Sequence, residues 1–274
     1  MKLCRFQTLE FAANDVDRSD HQIHPEIRSG VIDGNEVHEI LGDLWGRRER
    51  AGRSWQLNSV KLLPPCTPSK IVCVGRNYLE HAREFNNEAP KEPLIFLKPP
   101  SSIVGPDEPI LLPSISKRVD YEGELAAIVG RRCRNLLPDE DVSQYILGYT
   151  CLNDVTARDI QRLDAQFTRG KGFDTFCPFG PVIETALDPA GFTIETFLNG
   201  IRKQYGHTSE MIFSLDVIIR YIAQVMTLEP GDVVATGTPS GVGSLSEGDI
   251  VEVSVSSVGT LRNPVIGPPE GAEN

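Results

Sequence analysis

Two glutamates one residue apart, Glu122 and Glu124, have the side-chain type and spacing for cation chemistry. In a β-strand, residues two apart point to the same face, roughly 6 to 7 Å from each other. Neighbouring carboxylates repel each other, and burial strengthens that repulsion unless a cation lies between them. Gly123 is expected to leave the opposite face of the strand open. The spacing fits either a cation site or an exposed polar strand face.

Asp154 adds a third carboxylate at the end of another predicted strand, directly after apolar residues. Three carboxylates without His or Cys form a hard-oxygen site that suits Mg²⁺ or Mn²⁺, and Ca²⁺ less well. On its own, Asp154 is equally typical of a turn or a helix cap. The nearby Asp159 is expected to form a structural ion pair with Arg158 or another base.

Lys171 is the best candidate for the cation that an anionic substrate would need. Three carboxylates and one divalent ion leave a net charge of about −1, so further positive charge is required. Arg76 and Arg158 are the other candidates. Lys171 lies between Gly170 and Gly172, which allow the backbone to approach a ligand closely. The alternative is a solvated loop lysine.

His81 and Glu84 are three residues apart, on one face of a predicted short helix. A glutamate can hold an imidazole in one tautomer for general-base catalysis, although a surface pair has the same spacing. Thr236 to Gly243 form a glycine-rich loop after a predicted strand. This loop lacks the nucleotide-binding glycine spacing, so we interpret it as offering N–H groups and Thr238 to a carboxylate.

The whole chain narrows the classes of partner and compartment. It has 274 residues and a net charge of −11, which disfavours nucleic acid as a ligand. No apolar run reaches the roughly 18 residues of a membrane span, and the start lacks a signal-peptide core. Six scattered cysteines indicate reduced thiols and a cytoplasmic location. Gly267 to Asn274, rich in Pro and Gly, are expected to be disordered.

The predicted elements are mostly strands. Residues 1–62 form a small β-rich module with a hairpin turn at Asp33–Asn35, and a proline-rich joint opens the main domain at 63–274. Ser214 caps one long amphipathic helix that ends before Glu229. Short strands around it outnumber the helices. We therefore predict a mainly β architecture with peripheral helices, of the α+β class.

Taken together, the motifs resemble those of the fumarylacetoacetate hydrolase family, from about residue 65 to residue 265. The closest likeness is to its acylpyruvase and 2-hydroxyhepta-2,4-diene-1,7-dioate isomerase branch. The segments that carry the likeness are GRNYLEHARE (75–84), FLKPPSSIVGP (96–106), VDYEGELAAIVG (119–130), NDVTARDIQ (153–161), RGKGFDTFCPFGP (169–181), MIFSLDVIIRYIAQVMTLEPGDVVATGTPSGVG (211–243) and GTLRNPV (259–265).

The resemblance implies a mixed β-roll or barrel-like catalytic domain, a homodimer and a Mg²⁺ or Mn²⁺ ion. The family's metal ligands fall on Glu122, Glu124 and Asp154. Its catalytic dyad falls on His81 and Glu84, in a segment that orders as a lid, with Lys171 as a further catalytic group. Substrate contacts are implied at Arg76, Arg158, Gln161, Lys171 and Thr238.

The hypothesis is an enzyme that acts on a small anionic 2-oxo acid through a metal-stabilised enolate. The favoured reaction is hydrolysis of a C–C bond in an acylpyruvate, with His81 activating water. An isomerase or tautomerase, or a decarboxylase, of a related diacid such as oxaloacetate remains an alternative. A non-catalytic protein that binds a metal or a metabolite is the alternative from another class.

Overall fold

The protein is described here from a computed structural model that covers residues 1–9, 26–42, 44–185, 188 and 191–268. Residues 269–274, most of the tail expected to be disordered, lie outside the described residues. The strands before residue 112 are β1 (Lys2–Thr8), β2 (Arg28–Asp33), β3 (Glu36–Leu41), β4 (Glu49–Gln56), β5 (Val60–Leu63), β6 (Ile71–Gly75), β7 (Leu94–Lys98), β8 (Ile103–Val104) and β9 (Ile110–Leu111). The later strands are β10 (Val119–Tyr121), β11 (Gly123–Val129), β12 (Ile146–Asn153), β13 (Thr156–Ala157), β14 (Cys177–Glu184), β15 (Thr193–Leu198), β16 (Ile201–His207), β17 (Val233–Ala235), β18 (Gly243–Ser244), β19 (Ile250–Val255) and β20 (Gly259–Ile266).

The helices are short and few among the described residues. They are α1 (Leu79–Glu84), α2 (Arg158–Leu163), α3 (Thr168–Lys171) and α4 (Leu215–Val225), with 3₁₀ turns at Leu57–Ser59, Pro100–Ser102, Val142–Tyr145 and Thr208–Glu210. The long helix predicted from the sequence is confirmed as α4, and the hydroxyl of Ser214 caps it by accepting from the Val217 N–H. No helix of the described chain is long and apolar enough to cross a membrane.

The strands form three sheets, and the largest crosses the boundary expected near residue 62. Its order is β4-β3-β2-β1-β14-β12-β11-β17-β6-β7, with β5 on β1 and β8 on β14. The smaller sheets are β13-β10-β18 and β16-β15-β19-β20-β9. The mainly β class with peripheral helices is confirmed. The division at residues 62 and 63 stays a prediction. Strand β1 pairs with both β2 and β14, so the N-terminal hairpins and the following part of the chain share one sheet.

Strand β11 lies in the middle of the large sheet and is buried on both faces. Its odd-numbered side chains, such as Leu125 and Ala127, pack into the core cluster that contains the buried face of α4. Its even-numbered side chains, Ala126 and Ile128, belong to a second cluster. Each fully buried aliphatic side chain contributes about 1.5 to 3 kcal/mol, so this alternation fixes the register of β11 firmly. Glu124 shares the even-numbered face.

Candidate metal centre

The structure brings Glu122, Glu124 and Asp154 together at one end of the large sheet. Glu122 lies in the break between β10 and β11, Glu124 lies inside β11, and Asp154 directly follows β12. Antiparallel pairing of Gly123 with Asn153 sets β11 and β12 in register. One carboxylate oxygen from each of the three residues lies within 4.8 Å of the others, and all three side chains are buried.

Two hydrogen bonds hold Glu122 in place where the strand ladder is interrupted. Its N–H donates to Oδ1 of Asn153 at 2.9 Å, and its carbonyl accepts from the Asp154 N–H at 2.8 Å. The break between β10 and β11 therefore does not leave these buried backbone groups unpaired. The backbones of two metal-ligand candidates are bonded directly to each other.

The electrostatics of the carboxylates favour a bound cation. The pKa of Glu122 is lowered, because Lys171 and Arg158 outweigh the opposing effect of burial. The pKa of Glu124 is raised well above its ordinary value by burial and by the neighbouring charges of Asp154 and Glu122. A divalent cation among these oxygens would relieve that repulsion, and three carboxylates suit Mg²⁺ or Mn²⁺. The donor set therefore fits the metal that the sequence predicts.

Lys171 ends α3 and is buried at the centre, which excludes the solvated loop lysine. Its ammonium donates to Glu122 Oε2 at 2.9 Å, Asp154 Oδ2 at 2.5 Å and Thr156 Oγ1 at 2.9 Å. Burial lowers the pKa of Lys171, but the charges of Asp154 and Glu122 raise it by more, so the net shift of the pKa is upward. Lys171 is a fixed positive charge at the floor of the site.

Lys98 is a second buried lysine of the centre, and it was missed by the sequence analysis. At 1% exposure, its ammonium donates to Asp154 Oδ1 at 2.5 Å and to the Val155 carbonyl at 3.0 Å. Lys98 and Lys171 thus each bind one oxygen of the Asp154 carboxylate. The available signal was a lysine at the end of an otherwise apolar strand, inside a segment already noted for its family likeness.

The expected ion pair of Asp159 with Arg158 or another base is wrong for the described part of the chain. The Asp159 carboxylate instead accepts from the hydroxyl of Ser116 at 2.7 Å and from the Lys117 N–H at 2.8 Å. These bonds follow from the position of Asp159 in the first turn of α2, where its side chain reaches the loop before β10. Asp159 is therefore a loop anchor outside the carboxylate centre.

Arg158 points to the centre and joins it to Asp120. Its Nε donates to Asp120 Oδ2 at 2.8 Å, and a second nitrogen bonds Glu122 Oε1. Its Nη1 donates to Gln161 Oε1 at 2.7 Å. Asp120 is fully buried and was not a sequence candidate. Arg158 and Gln161 thus lie at the predicted site, already hydrogen-bonded to protein groups.

Helix α1 places His81 and Glu84 at the rim of the centre. Nδ1 of His81 lies 3.5 Å from Glu84 Oε2 and makes no hydrogen bond among the described residues, although it is buried. Both Glu84 oxygens accept from the Gly241 N–H at 3.3 Å. Phe85 packs edge-on against His81, and the Arg158 guanidinium lies over the Phe85 ring. These contacts tie α1 to the centre from two sides.

The glycine-rich loop predicted at Thr236 to Gly243 follows β17 and packs against β11. The Gly237 N–H donates to Glu124 Oε2 at 2.8 Å, with Gly237 at φ +98°. A side chain at that position would also lie 2.7 Å from Cβ of Asn77. The Thr238 hydroxyl donates to the Gly123 carbonyl at 2.8 Å rather than to open space.

The site residues predicted from the sequence line one cavity of about 760 Å³: His81, Glu84, Glu122, Glu124, Asp154, Arg158, Gln161, Lys171 and Thr238. Arg76 lines it as well, half-buried and in the left-handed backbone region at φ 58°, which a non-glycine residue adopts at a cost of about 1 kcal/mol or more. Arg76 makes no hydrogen bond or ion pair among the described residues. Arg118 and Arg162 line the same cavity.

The fold and the site define a β-rich protein with a buried group of three carboxylates that could hold a metal, next to two buried lysines. The family model for the fumarylacetoacetate hydrolase C-terminal region matches residues 70–266. A second model, described as Rv2993c-like, N-terminal, matches residues 22–65. The chain belongs to the fumarylacetoacetate hydrolase family, a family of enzymes, which confirms the resemblance read from its motifs.

Three relatives illustrate the range of names within this family. The chain is 42% identical over 222 residues to an oxaloacetate tautomerase, fahd2, of Xenopus laevis, covering 76% of this chain and 69% of that protein. It is 40% identical over 226 residues to the oxaloacetate tautomerase YisK of Bacillus subtilis, covering 77% and 75%. A solved 5-carboxymethyl-2-hydroxymuconate delta-isomerase of Mycobacterium smegmatis is similar at 41% identity and a TM-score of 0.86, with 97% and 100% covered.

Proposed function

We propose that the chain is a divalent-metal-dependent tautomerase or isomerase of a small 2-oxo diacid. The observation that carries the proposal is the buried group of Glu122, Glu124 and Asp154, with the Lys171 ammonium bonded to two of them. The names of the relatives at 40 to 42% identity support this reaction class. Hydrolysis, which the sequence analysis favoured, becomes the second candidate.

The charges around the cavity support a substrate with two carboxylates. Lys171 lies at the floor, and four arginines line the cavity: Arg76, Arg118, Arg158 and Arg162. Because Arg76 has no ion-pair partner among the described residues, its charge is available to a ligand. One carboxylate near the floor and one near the entrance would match this distribution.

Glu122, Glu124 and Asp154 would hold the cation, Mg²⁺ or Mn²⁺ by their chemistry, with Ca²⁺ less well suited. When bound, this cation supplies Lewis-acid stabilisation of the negative charge that develops on the substrate oxygens. Lys171 offsets the remaining negative charge of the site. Lys98 holds Asp154 in one orientation by binding its second oxygen.

His81 is the residue that takes and returns the proton in this proposal. It is 7% exposed and lies beside Glu84, whose carboxylate is itself held by the Gly241 N–H. A small movement of α1 would shorten the 3.5 Å separation between Nδ1 and Glu84 to a hydrogen bond and fix the tautomer. Proton transfer at the carbon next to the oxo group needs one such acid–base group.

Hydrolysis of an acylpyruvate is the second candidate, and the His81–Glu84 pair is the observation that favours it. The same pair that moves a proton on carbon can take a proton from water, which then attacks the distal carbonyl. Decarboxylation of oxaloacetate needs no activated water and would depend less on His81. A non-catalytic binding protein has no use for an imidazole held next to a carboxylate.

A substrate panel tests the proposal. Purified protein is assayed with Mg²⁺, Mn²⁺ or chelator for tautomerisation and decarboxylation of oxaloacetate, isomerisation of a hydroxy-dienedioate, and cleavage of acetylpyruvate and fumarylpyruvate. Metal-dependent tautomerisation or isomerisation, lost in Glu122→Ala, is the expected result. Acylpyruvate cleavage as the fastest reaction would replace the first candidate with the second. Activity that survives both chelator and Glu122→Ala would overturn the metal centre.

Two further attributes of the proposal concern the whole protein: a homodimer and a cytoplasmic location. All six cysteines are buried free thiols, as expected in a reducing compartment. Light scattering coupled to size-exclusion chromatography measures the mass in solution, and cell fractionation tests the location. A monomer, or protein found in a secreted fraction, would contradict the corresponding attribute.

A further inference from the structure

Strand β16 places a buried glutamine, Gln204, directly behind the metal centre. Gln204 is 1% exposed, whereas its neighbours Lys203 and Tyr205 are exposed. It pairs with Thr196 on β15, and both side chains meet Gly123. A Cβ atom at position 123 would lie 2.0 Å from Thr196 Oγ1 and 3.3 Å from Gln204 Oε1. The face of β11 that the sequence suggested was open is therefore filled.

The Gln204 carboxamide is fully hydrogen-bonded, and its orientation follows from its partners. The Gly123 N–H donates to Oε1 at 3.0 Å, so this atom must be the oxygen. The amide nitrogen then donates its two hydrogens to Thr238 Oγ1 and to the Pro239 carbonyl, both at 2.8 Å. One side chain from a distant strand thus bonds the backbone between two metal-ligand glutamates and the glycine-rich loop.

The same bonds determine the direction of the Thr238 hydroxyl. Its oxygen accepts from Gln204, and its hydrogen donates to the Gly123 carbonyl, which can only accept. The hydroxyl hydrogen is therefore committed to the protein. Thr238 is 2% exposed and lines the cavity, and its own backbone N–H donates no hydrogen bond within the described chain. The hydroxyl hydrogen is therefore unavailable to a ligand anion in the cavity.

We propose that Gln204 is a positioning residue that acts with the Thr238 hydroxyl as one unit. The unit holds Gly123, and with it Glu122 and Glu124, at a fixed distance from the glycine-rich loop. The proposal rests on the proposed function, because it assigns these residues to the same metal centre. Outer partners of metal ligands change metal affinity or activity by about 10- to 100-fold when they are replaced. We expect a loss of this size for Gln204→Leu.

The test measures Mn²⁺ affinity by electron paramagnetic resonance and oxalate affinity by calorimetry, followed by kcat/KM on the active substrate. The variants are Gln204→Leu, Thr238→Val and the double variant. Thr196→Val is the matched control, because Thr196 is fully buried at the same glycine and its hydroxyl has no partner among the described residues. Thr196→Val should keep Mn²⁺ affinity within about twofold of wild type, because it removes a hydroxyl that makes no hydrogen bond there.

If Gln204 and Thr238 act as one unit, each single variant should weaken Mn²⁺ binding. The double variant should then bind Mn²⁺ no more weakly than Gln204→Leu alone. Thr238→Ser, which keeps the hydroxyl, should bind Mn²⁺ more tightly than Thr238→Val, and this pair of variants carries the test if Gln204→Leu does not fold. Losses that add in the double variant would overturn the proposal. So would a Gln204→Leu protein with reduced thermal stability but wild-type Mn²⁺ and oxalate affinities.

The two proposals fail in different ways. If wild-type protein binds Mn²⁺ and oxalate but turns over no substrate of the panel, the proposed function is wrong. The Mn²⁺ affinities of the variants still decide the role of Gln204 in that case, because they do not depend on turnover.

Discussion

The floor and the rim of the cavity are built in different ways. At the floor, both oxygens of Asp154 bind buried lysines, and the Glu124 carboxylate accepts from the Gly237 N–H. At the rim, α1 is six residues long, and at a His81–Glu84 separation of 3.5 Å Nδ1 has no hydrogen bond among the described residues. The floor is a preorganised charge arrangement, whereas the His81–Glu84 pair at the rim is not hydrogen-bonded.

This difference separates two parts of the chemistry. Buried charges that are paired and hydrogen-bonded keep their positions, because each loss of a partner is strongly unfavourable. The floor is therefore suited to the step that tautomerases, isomerases and hydrolases of this kind share, the stabilisation of negative charge on the substrate. Under the proposed function, the rim, where the side chain of Glu84 is 31% exposed, would decide the fate of the proton.

The largest effect is expected for Asp154→Asn at the floor. The substitution keeps the shape of the side chain but removes the charge that faces the cation and two lysines. Because electrostatic stabilisation of this kind supplies several kcal/mol, activity should fall by about 10³-fold or more, and Mn²⁺ binding should be lost with it. Steady-state assays and electron paramagnetic resonance measure the two. Asp159→Asn, at the loop anchor outside the centre, should retain activity and Mn²⁺ binding. Equal losses in Asp159→Asn would show that the effect is not specific to the carboxylates of the centre.

His81→Gln tests the rim. General acid–base catalysis contributes about 10²- to 10⁴-fold, so the proton-transfer reaction should slow by that amount. Mn²⁺ affinity should stay near the wild-type value, because no hydrogen bond or ion pair joins His81 to the three carboxylates among the described residues. A parallel fall in Mn²⁺ affinity would show that floor and rim are one unit. Retained decarboxylation with loss of acylpyruvate cleavage would indicate water activation.

Lys98→Met measures how much the floor depends on its unpredicted lysine. Removing one partner of a buried ion pair leaves Asp154 partly uncompensated, so the metal-free protein should lose about 3 to 5 kcal/mol in free energy of unfolding. Denaturant titrations give this value. The control is Lys61→Met, whose partner Glu108 lies at the surface, and there the loss should be below about 1 kcal/mol. Equal losses would contradict a special role for Lys98.

The pH dependence of metal binding follows from the raised pKa of Glu124. The metal-free protein holds a proton on this carboxyl above its ordinary titration range, and a cation must displace that proton. Mn²⁺ affinity should therefore rise with pH by about tenfold per unit until the raised pKa is passed, and then level off. Calorimetry in buffers of different ionisation enthalpy counts the released proton. Release of no proton, together with an Mn²⁺ affinity that does not change with pH, would contradict this assignment.

The smallest effect is expected on the outer face of α1. Glu80 pairs with Arg83 where both side chains are more than half exposed. Such pairs contribute little, so Glu80→Gln should change kcat/KM by no more than about twofold. Kinetics on the active substrate measure this. A large effect would mean that the rim is sensitive over the whole helix and not only at His81 and Glu84.

Residues close together in sequence could be assigned to the site from the sequence. Glu122 and Glu124 share a face because strand side chains alternate, and Ser214 to Val225 form a helix because the apolar spacing has the helical period. The two possible meanings of Lys171, ligand group or solvated lysine, could not be separated in this way. Its burial depends on how α3 packs, which no local pattern encodes.

The sequence by itself determined the carboxylate set, the His81–Glu84 spacing, the acidic net charge and the strand-rich class, since each is set by residue type or local periodicity. Only the tertiary structure decided that Lys98 binds Asp154, that Asp120 holds Arg158, and that Gln204 stands behind Gly123. The contacts of Lys98 and Gln204 join residues 56 and 81 positions apart in the chain. They arise from sheet packing, so their physical cause lies in the fold rather than in any neighbouring residue.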